Sequence, residues 1–565
     1  MTNPSRSGGQ ILVDALAIHG VDTAFGVPGE SYLDVLDALH DSSIDFVINR
    51  QEGGAAFMAE AYGKLTGKPG ICFVTRGPGA TNAAIGVHTA YQDSTPMILF
   101  IGQVGLDFMD REAFQEIDYR RMYGQMAKWV TQIDRAERIP EYIARAFQIA
   151  TSGRPGPVVL ALPEDMLATR AVVADTRAYT PVQASPAAAQ IDQLRAMLAA
   201  AKRPLLLLGG GTWNAQACAD VTRFVEANHL PVACAFRFQD LFDNAHPQYV
   251  GDVGIGINPK LAARVKEADV LIAFGPRLGE MTTSGYSIIE APVPRQRLVH
   301  IHPDPEELGS VYQAELMIAS GAPQAASMLA AMAPVDASAW HESAAQGRAE
   351  LAAWQQQPPI FQGGASPLDL WQLVQDLQAA IPHDSIITNG AGNYATWAHR
   401  FYSYGGMRSQ LAPTSGAMGY GVPAGIAAKI VDPARTVVTF AGDGEFMMNG
   451  QELATAVQYQ AGVVIIVFNN SMFGTIRMHQ ERDYPGRVSG TTLHNPDFAA
   501  LAQAYGAHGE VVTTTAQFAP ALARALEHTR GKSLPALIEL RYDGNLITPG
   551  ATLDTIRANA EKARS

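Results

Sequence analysis

Two hydrophobic patterns alternate along the chain. In the first third, helical spacing in ILVDALAIHG gives way to short continuous apolar runs: ICFVT at Ile71–Thr75, MILFIG at Met97–Gly102 and PVVLAL at Pro157–Leu162. Unbroken runs of this length predict strands buried on both faces, and their alternation with helical segments predicts a parallel sheet wrapped by helices. The rhythm restarts at RPLLLLGGGTW, passes through DVLIAFGPR and RLVHIHPDP, and ends in an Ala-rich helical region near Met332. It restarts again after Leu368 with SIITNG, TVVTFAGDG, VVIIVFNN and ALIELRYD. Between these blocks the periodicity fades: ATRAVVADTRAYTPVQASPAAAQ after Pro163 and WQQQPPIFQGGASP from Trp354 to Pro367 have the composition of linkers. The expectation is an α/β protein of three doubly wound parallel-sheet domains, at 1–175, 190–340 and 365–550.

Composition narrows the class. A chain of 565 residues exceeds what one hydrophobic core serves, and 47% hydrophobic with 17% charged residues is ordinary for a folded protein. The net charge of −13 is spread without long blocks, which argues against nucleic acid or an anionic membrane as partner. Small-molecule ligands are expected. Cys72, Cys218 and Cys234 form neither a disulfide framework nor a zinc pattern, which suits a reducing cytoplasm. Asp14 and His19 interrupt the apolar residues near the start, so that stretch reads as an amphipathic helix rather than a signal sequence, and no apolar run reaches the roughly 18 residues of a membrane span.

The strongest chemical signal is GDGEFMMNGQELATA followed by VVIIVFNNSMFG, which sets Asp443 and Asn470 27 positions apart with a helix and a strand between them. Each ends a buried strand, and ligands of open α/β sheets bind at the carboxyl ends of strands. Gly442 and Gly444 allow close backbone approach to a phosphate, and the amides of Glu445 and Phe446 at a helix start can donate to its oxygens. Asp443 and Asn470 offer hard oxygens to Mg²⁺, with a backbone carbonyl at Met472, water and diphosphate oxygens completing an octahedron. GDG alone is ordinary turn chemistry; its spacing to NN is what separates it from a turn.

That spacing resembles the signature of thiamine-diphosphate enzymes, and the wider match is to acetolactate synthases and their relatives. FGVPGE (Phe25–Glu30) resembles the family's FGYPGG loop, placing Pro28 and Gly29 at the cofactor. NRQEGGAAFMAEAYGKLTGKPG resembles the stretch carrying its catalytic glutamate, which would be Glu52. TRGPGATN (Thr75–Asn82) resembles TSGPGATN, adding Asn82, and AFQE (Ala113–Glu116) matches the segment whose glutamine, here Gln115, lies over the reacting carbon. NGAGNYATW (Asn389–Trp397) partly matches TGVGQHQMW, so that Ala391, Gly392, Asn393 and Tyr394 would help hold the diphosphate. SGAMGYGVPA (Ser415–Ala424) resembles SGGLGTMGFGLPAA, with the Gly416 carbonyl against the cofactor's amino group and Met418 as the apolar wedge that keeps its two rings bent. Phe473 and Gly474 close the NN segment.

The resemblance implies that Glu52 shares a proton with the cofactor's pyrimidine nitrogen, that the resulting imine deprotonates the thiazolium, and that the ring serves as electron sink when a 2-keto acid loses carbon dioxide. It also implies that Glu52 and Asp443 of one site come from different subunits, so a homodimer is the minimal active unit and a homotetramer a common further step. Substrate choice is less settled: Thr475 and His479 stand where the family has Met and Trp, which makes the pocket more polar. FAD is left open, because LLLLGGG (Leu205–Gly211), GPR (Gly275–Arg277) and GRPGPV (Gly153–Val158) resemble flavin-contacting loops while DVGIGINP and GEMTTSG depart from the family's segments. The reading is a carboligase or decarboxylase of pyruvate-like 2-keto acids. A flavin-linked keto acid oxidase and a 2-hydroxy ketone lyase are the alternatives, and a non-catalytic cofactor-binding relative ranks below them.

Overall fold

The computed structural model describes residues 4–361 and 366–564. Three six-stranded sheets form from strands lying between Thr23 and Pro163, Pro204 and Ala319, and Ile386 and Arg541. Every strand pairing within them is parallel. The protein is thus an α/β protein of three domains. Counting strands along each sheet, the first and third share the spatial order 2-1-3-4-6-5, whereas the second has 3-2-1-4-5-6. The order reverses between strands 1 and 3 in the outer sheets and between 1 and 4 in the middle one. At such a reversal the flanking connections leave in opposite directions and open a crevice at the carboxyl ends of the strands.

The apolar runs are where the strands are. Met97–Gln103, Pro204–Leu208 and Val437–Gly442 are buried along their whole length, as covering by helices on both faces requires. In the first sheet Phe73 and Phe100 stack at 4.8 Å. The amphipathic N-terminal segment is the helix Gly8–Ile18, closed by a capping box between Ser7 and Gln10.

The chain resolves into two compact units, the first carrying the first sheet and the second carrying the other two. Within the second unit, polar bridges fasten the middle domain to the last: Arg237 Nη2 donates to Gly390 O (2.9 Å), Gln239 N to Gln410 Oε1 (2.9 Å) and Gln239 Nε2 to His399 O (2.8 Å). Residues 172–187, inside the first expected linker, carry no helix or strand. Of the second, residues 362–365 lie outside the described residues. Among the described residues no helix is long and apolar enough to cross a membrane.

Candidate active site

In the third sheet, register decides what meets. Val437–Gly442 and Val464–Asn469 are neighbours, with Gly442 opposite Phe468, so the chain leaves the sheet at Asp443 and at Asn470 on the same edge. Adjacent strands lie about 4.8 Å apart, close enough for both side chains to reach one cation. The strand Ile386–Asn389 flanks Val437–Gly442 on the other side and delivers the loop from Gly390 to Tyr394 to the same edge. This is the reversal point of the sheet.

A cavity of about 250 Å³ opens there, and residues from five stretches of chain line it, among them Asn393, Met418, Asp443, Asn470, Met472 and Thr475. Of the residues singled out in this half of the chain, Ala391, Gly392, Tyr394, Gly416, Gly442, Gly444, Glu445, Phe473 and Gly474 also face it. Two do not. The Phe446 ring packs edge-on against Phe498 in the core, leaving only its backbone to serve the cavity. His479 sits on the helix Gly474–Asp483 away from the lining, with Nδ1 buried and unpartnered.

Asp443 is buried, and desolvation raises its carboxyl above the usual carboxylate range. Hydrogen bonds oppose that rise: Gly444 N donates to Oδ1 (2.9 Å) and Asn495 Nδ2 to Oδ2 (2.8 Å). Asn495 Nδ2 also donates to Asn469 Oδ1 (2.9 Å), so it locks the two strand ends together. Tyr542 lines the same cavity as Asn470. Sequence reading missed Asn495 and Tyr542. Asn495 reaches Asp443 only because Phe473 N pairs with Thr491 O and Leu493 N with Ser471 O, folding the 491–495 segment back on the site.

Glu445 has a different job from the backbone role expected of it. Its carboxylate turns inward and gathers the loops: Tyr394 OH (2.5 Å) and Gly442 N (3.3 Å) donate to Oε2, and Gly419 N (3.1 Å) and Gly421 N (3.3 Å) to Oε1. The Tyr394 hydroxyl in turn accepts from Gly390 N (3.0 Å). Burial pushes the Glu445 carboxyl up to about 7 against these donors. A Cβ at position 390 would overlap the Glu445 carboxylate and push it off its donors. Thr475 is likewise engaged: its hydroxyl donates to Asn393 Oδ1 (3.0 Å) and accepts from Asn393 N (3.0 Å), pinning the loop.

In the first domain the corresponding edge carries Pro28 and Gly29 after the strand Thr23–Gly26, and Thr75 after Gly70–Val74. Glu52 opens the helix Glu52–Thr66, whose N-cap Gln51 accepts from Gly54 N (3.0 Å), so the carboxylate stands in the favourable field of a helix start. Asn82 Nδ2 donates to Glu52 Oε2 (2.9 Å), which gives Asn82 the task of orienting the acid. Gln115 lies in a loop at φ +66°, and its carbonyl accepts from Gly77 N (2.9 Å).

Comparison with known proteins agrees in all three domains. The chain matches models of the thiamine pyrophosphate enzyme N-terminal TPP binding domain over residues 6–122, the central domain over 191–329 and the C-terminal TPP binding domain over 390–540. It is 33% identical over 549 residues to the acetolactate synthase isozyme 2 large subunit of Escherichia coli (strain K12), covering 97% of this chain and 98% of that relative. This chain belongs to the thiamine pyrophosphate enzyme family. Its relatives in that family include the probable acetolactate synthase large subunit of Methanocaldococcus jannaschii, at 32% identity over 97% of this chain and 95% of the relative. Another is the acetolactate synthase large subunit of Parasynechococcus marenigrum, at 33% over 92% and 86%. The chain is a thiamine-pyrophosphate-dependent enzyme of the acetolactate synthase type.

The donor set suits the magnesium expected of a thiamine pyrophosphate enzyme. Among the described residues no group of three or more His, Cys, Asp or Glu could hold a metal on its own. One carboxylate and one amide instead leave most positions to water and phosphate, as Mg²⁺ prefers. The flavin loops of the middle domain fit less well. Around Gly210 and Gly275 the two loops lie backbone against backbone, closer than any Cβ would allow, and the Gly209 and Gly275 amides already pair with Phe274 O (3.1 Å) and Ile301 O (2.8 Å). The Trp213 indole closes over them, donating to Gly209 O (2.8 Å).

Proposed function

We propose that this enzyme is a thiamine-diphosphate and Mg²⁺ dependent carboligase or decarboxylase of 2-keto acids, with a pyruvate-type donor. The observation that carries the reading is the cavity at the reversal point of the third sheet, which Asp443, Asn470 and Met472 line where the strand Val437–Gly442 passes into the helix Asp443–Asn449. Asp443 and Asn470 would hold the magnesium, and the 391–394 loop with the amides that open the helix Asp443–Asn449 would hold the diphosphate. When bound, the cofactor supplies an electron sink for the carbanion left by decarboxylation.

The chain's own residues supply the rest. Met418, half-exposed at the cavity, offers an apolar surface that would support the cofactor without competing for its protons. Glu52, oriented by Asn82, would hold the activating proton at its Oε1 or Oε2, and Gln115 would face the reacting carbon. In one chain Glu52 remains half-exposed, while Met447 and Met448 (52% and 44% exposed) and Ile476 stand out near the cavity. A second copy that brings its Glu52 over this cavity would bury both, which makes a homodimer the minimal unit and a homotetramer a natural extension. The oxidase alternative is not favoured, because the middle-domain loops that would cradle a flavin are closed on each other. A cytoplasmic enzyme on small keto acids completes the proposal.

The test is turnover of pyruvate by protein reconstituted with thiamine diphosphate and Mg²⁺, wild type beside Glu52→Gln, read for carbon dioxide, acetolactate and acetaldehyde. Product from the wild type with a loss of about 100-fold or more in Glu52→Gln supports the assignment, that being the scale of a lost proton relay. Equal rates in the two proteins would remove Glu52 from the mechanism.

A further inference from the structure

A second cavity, of about 350 Å³, lies in the same unit as the cofactor cavity, and Asn393 borders both. It forms where the loop after the strand Tyr249–Asp252 faces the end of the helix His341–Trp354 and the helix Ala395–Phe401. Its feature is Arg400. The guanidinium centre stacks 3.5 Å from the centroid of the Trp354 ring, and Nε and Nη2 donate to Trp354 O at 3.0 and 2.7 Å. One edge of the group is therefore fixed, and none of the described residues accepts a hydrogen bond from Nη1.

Among the described residues no carboxylate pairs with this charge. Burial alone accounts for the fall of the Arg400 pKa to about 10, so the group remains cationic at neutral pH without a counter-ion. The other ionisable groups lining the cavity, His399 and Asp252, are paired elsewhere and form no ion pair with it. Burial pushes His399 down to about 3, so it is neutral, and its Nε2 is paired with Asn389 Oδ1 at 3.1 Å. Burial pushes the Asp252 carboxyl up to about 7, and its Oδ1 accepts from Gln239 Nε2 at 3.2 Å. A guanidinium held in place by stacking, with its Nη1 edge open, presents a preorganised planar fork that suits a carboxylate. Much of the remaining wall is apolar, with Ile257, Leu351 and Met478.

We infer that this second cavity is a binding site for a small organic carboxylate, whose head pairs with Arg400 and whose short apolar body lies against Ile257, Leu351 and Met478. Binding here needs neither cofactor nor turnover. The test is calorimetric titration of the full-length, cofactor-free protein with 2-oxobutanoate, with 2-butanone as its uncharged counterpart, for wild type, R400Q and R400K. Wild type should bind the carboxylate and not the ketone. R400Q should bind it at least about ten-fold more weakly, the scale of one charge-assisted pair, and R400K should recover part of the loss. Affinity for thiamine diphosphate with Mg²⁺ should be unchanged in R400Q, since Arg400 lies outside the cofactor cavity.

Absence of saturable 2-oxobutanoate binding in wild type, or equal binding by R400Q, overturns the site. So does a loss of binding in both variants accompanied by loss of cofactor affinity, which would mark Arg400 as a structural residue. Protein that turns over no keto acid yet binds 2-oxobutanoate through Arg400 would sink the proposed reaction and leave this site standing.

Discussion

Replacing Tyr394 with Phe removes one oxygen atom and tests whether Glu445 organises the cofactor loops. In the wild type that hydroxyl donates to Glu445 Oε2 at 2.5 Å and accepts from Gly390 N at 3.0 Å, both in a fully buried setting. The variant leaves the Gly390 amide without an acceptor and takes one donor from a buried carboxyl. A hydrogen bond to a charged group contributes about 1.5–3 kcal/mol, and a stranded buried amide costs about 1–3 kcal/mol. The ring itself stays packed against Phe468, so no cavity larger than the lost oxygen opens. Because both losses act through one hydroxyl they do not add in full, and local opening of the 389–394 segment should become easier by about 2–4 kcal/mol, or roughly 30- to 1000-fold in its opening equilibrium. Hydrogen exchange followed by mass spectrometry, on peptides covering Ile386–Tyr394, reads this directly. Thiamine diphosphate affinity should fall in the same variant, because that loop lines the cofactor cavity. Exchange in these peptides within about two-fold of wild type, with unchanged cofactor affinity, would refute the assignment of Glu445 and Tyr394 as the loops' anchor.

Other expectations follow from the same site. Asn495→Ala should weaken Mg²⁺-dependent thiamine diphosphate binding by about ten-fold, as one charge-assisted hydrogen bond to Asp443 is lost; titration calorimetry would show it, and unchanged affinity would deny Asn495 a role. Chelation with EDTA should release the cofactor, and Mg²⁺ should restore it in wild type but not in Asp443→Ala, as followed by gel filtration with absorbance of the small-molecule fraction. The C-terminal helix Leu553–Arg564 is tied to the helix Gly474–Asp483 by Arg557, whose Nε and Nη2 donate to Glu481 at 2.8 and 2.6 Å. That hydrogen-bonded pair lowers the Glu481 carboxyl to about 2. Its folded-state pKa is depressed, so the pair stabilises the protein above the unfolded value of about 4.3 and the contribution is lost as pH falls toward 2. Arg557→Ala should then be less stable than wild type at pH 7 in thermal melts, with the gap closing between about pH 4.5 and 2; a constant gap would show that the pair does not titrate as described.

Local pattern alone determined the three parallel sheets and the motifs on their edges. A strand covered on both faces must be apolar at every position, so runs such as PLLLL and VVIIVF declare themselves without knowledge of their neighbours. The GDG-to-NN spacing is similarly local, spanning one strand–helix–strand step, and it led to Asp443 and Asn470 on adjoining strand ends. What the sequence left undetermined are contacts that depend on register and on segments returning from far along the chain. Asn495 meets Asp443 across 52 residues through a loop with no periodicity of its own. Glu445 looked like part of a phosphate-facing helix start, but helix geometry turns its side chain inward to four loop donors. Thr475 and His479, four residues apart on one helix, differ in that Asn393 captures the first while the second is not among the residues lining the cavity. Arg400 carried no motif: an arginine is usually a solvated charge, and only the stacking on Trp354 and the lack of an ion pair among the described residues single it out.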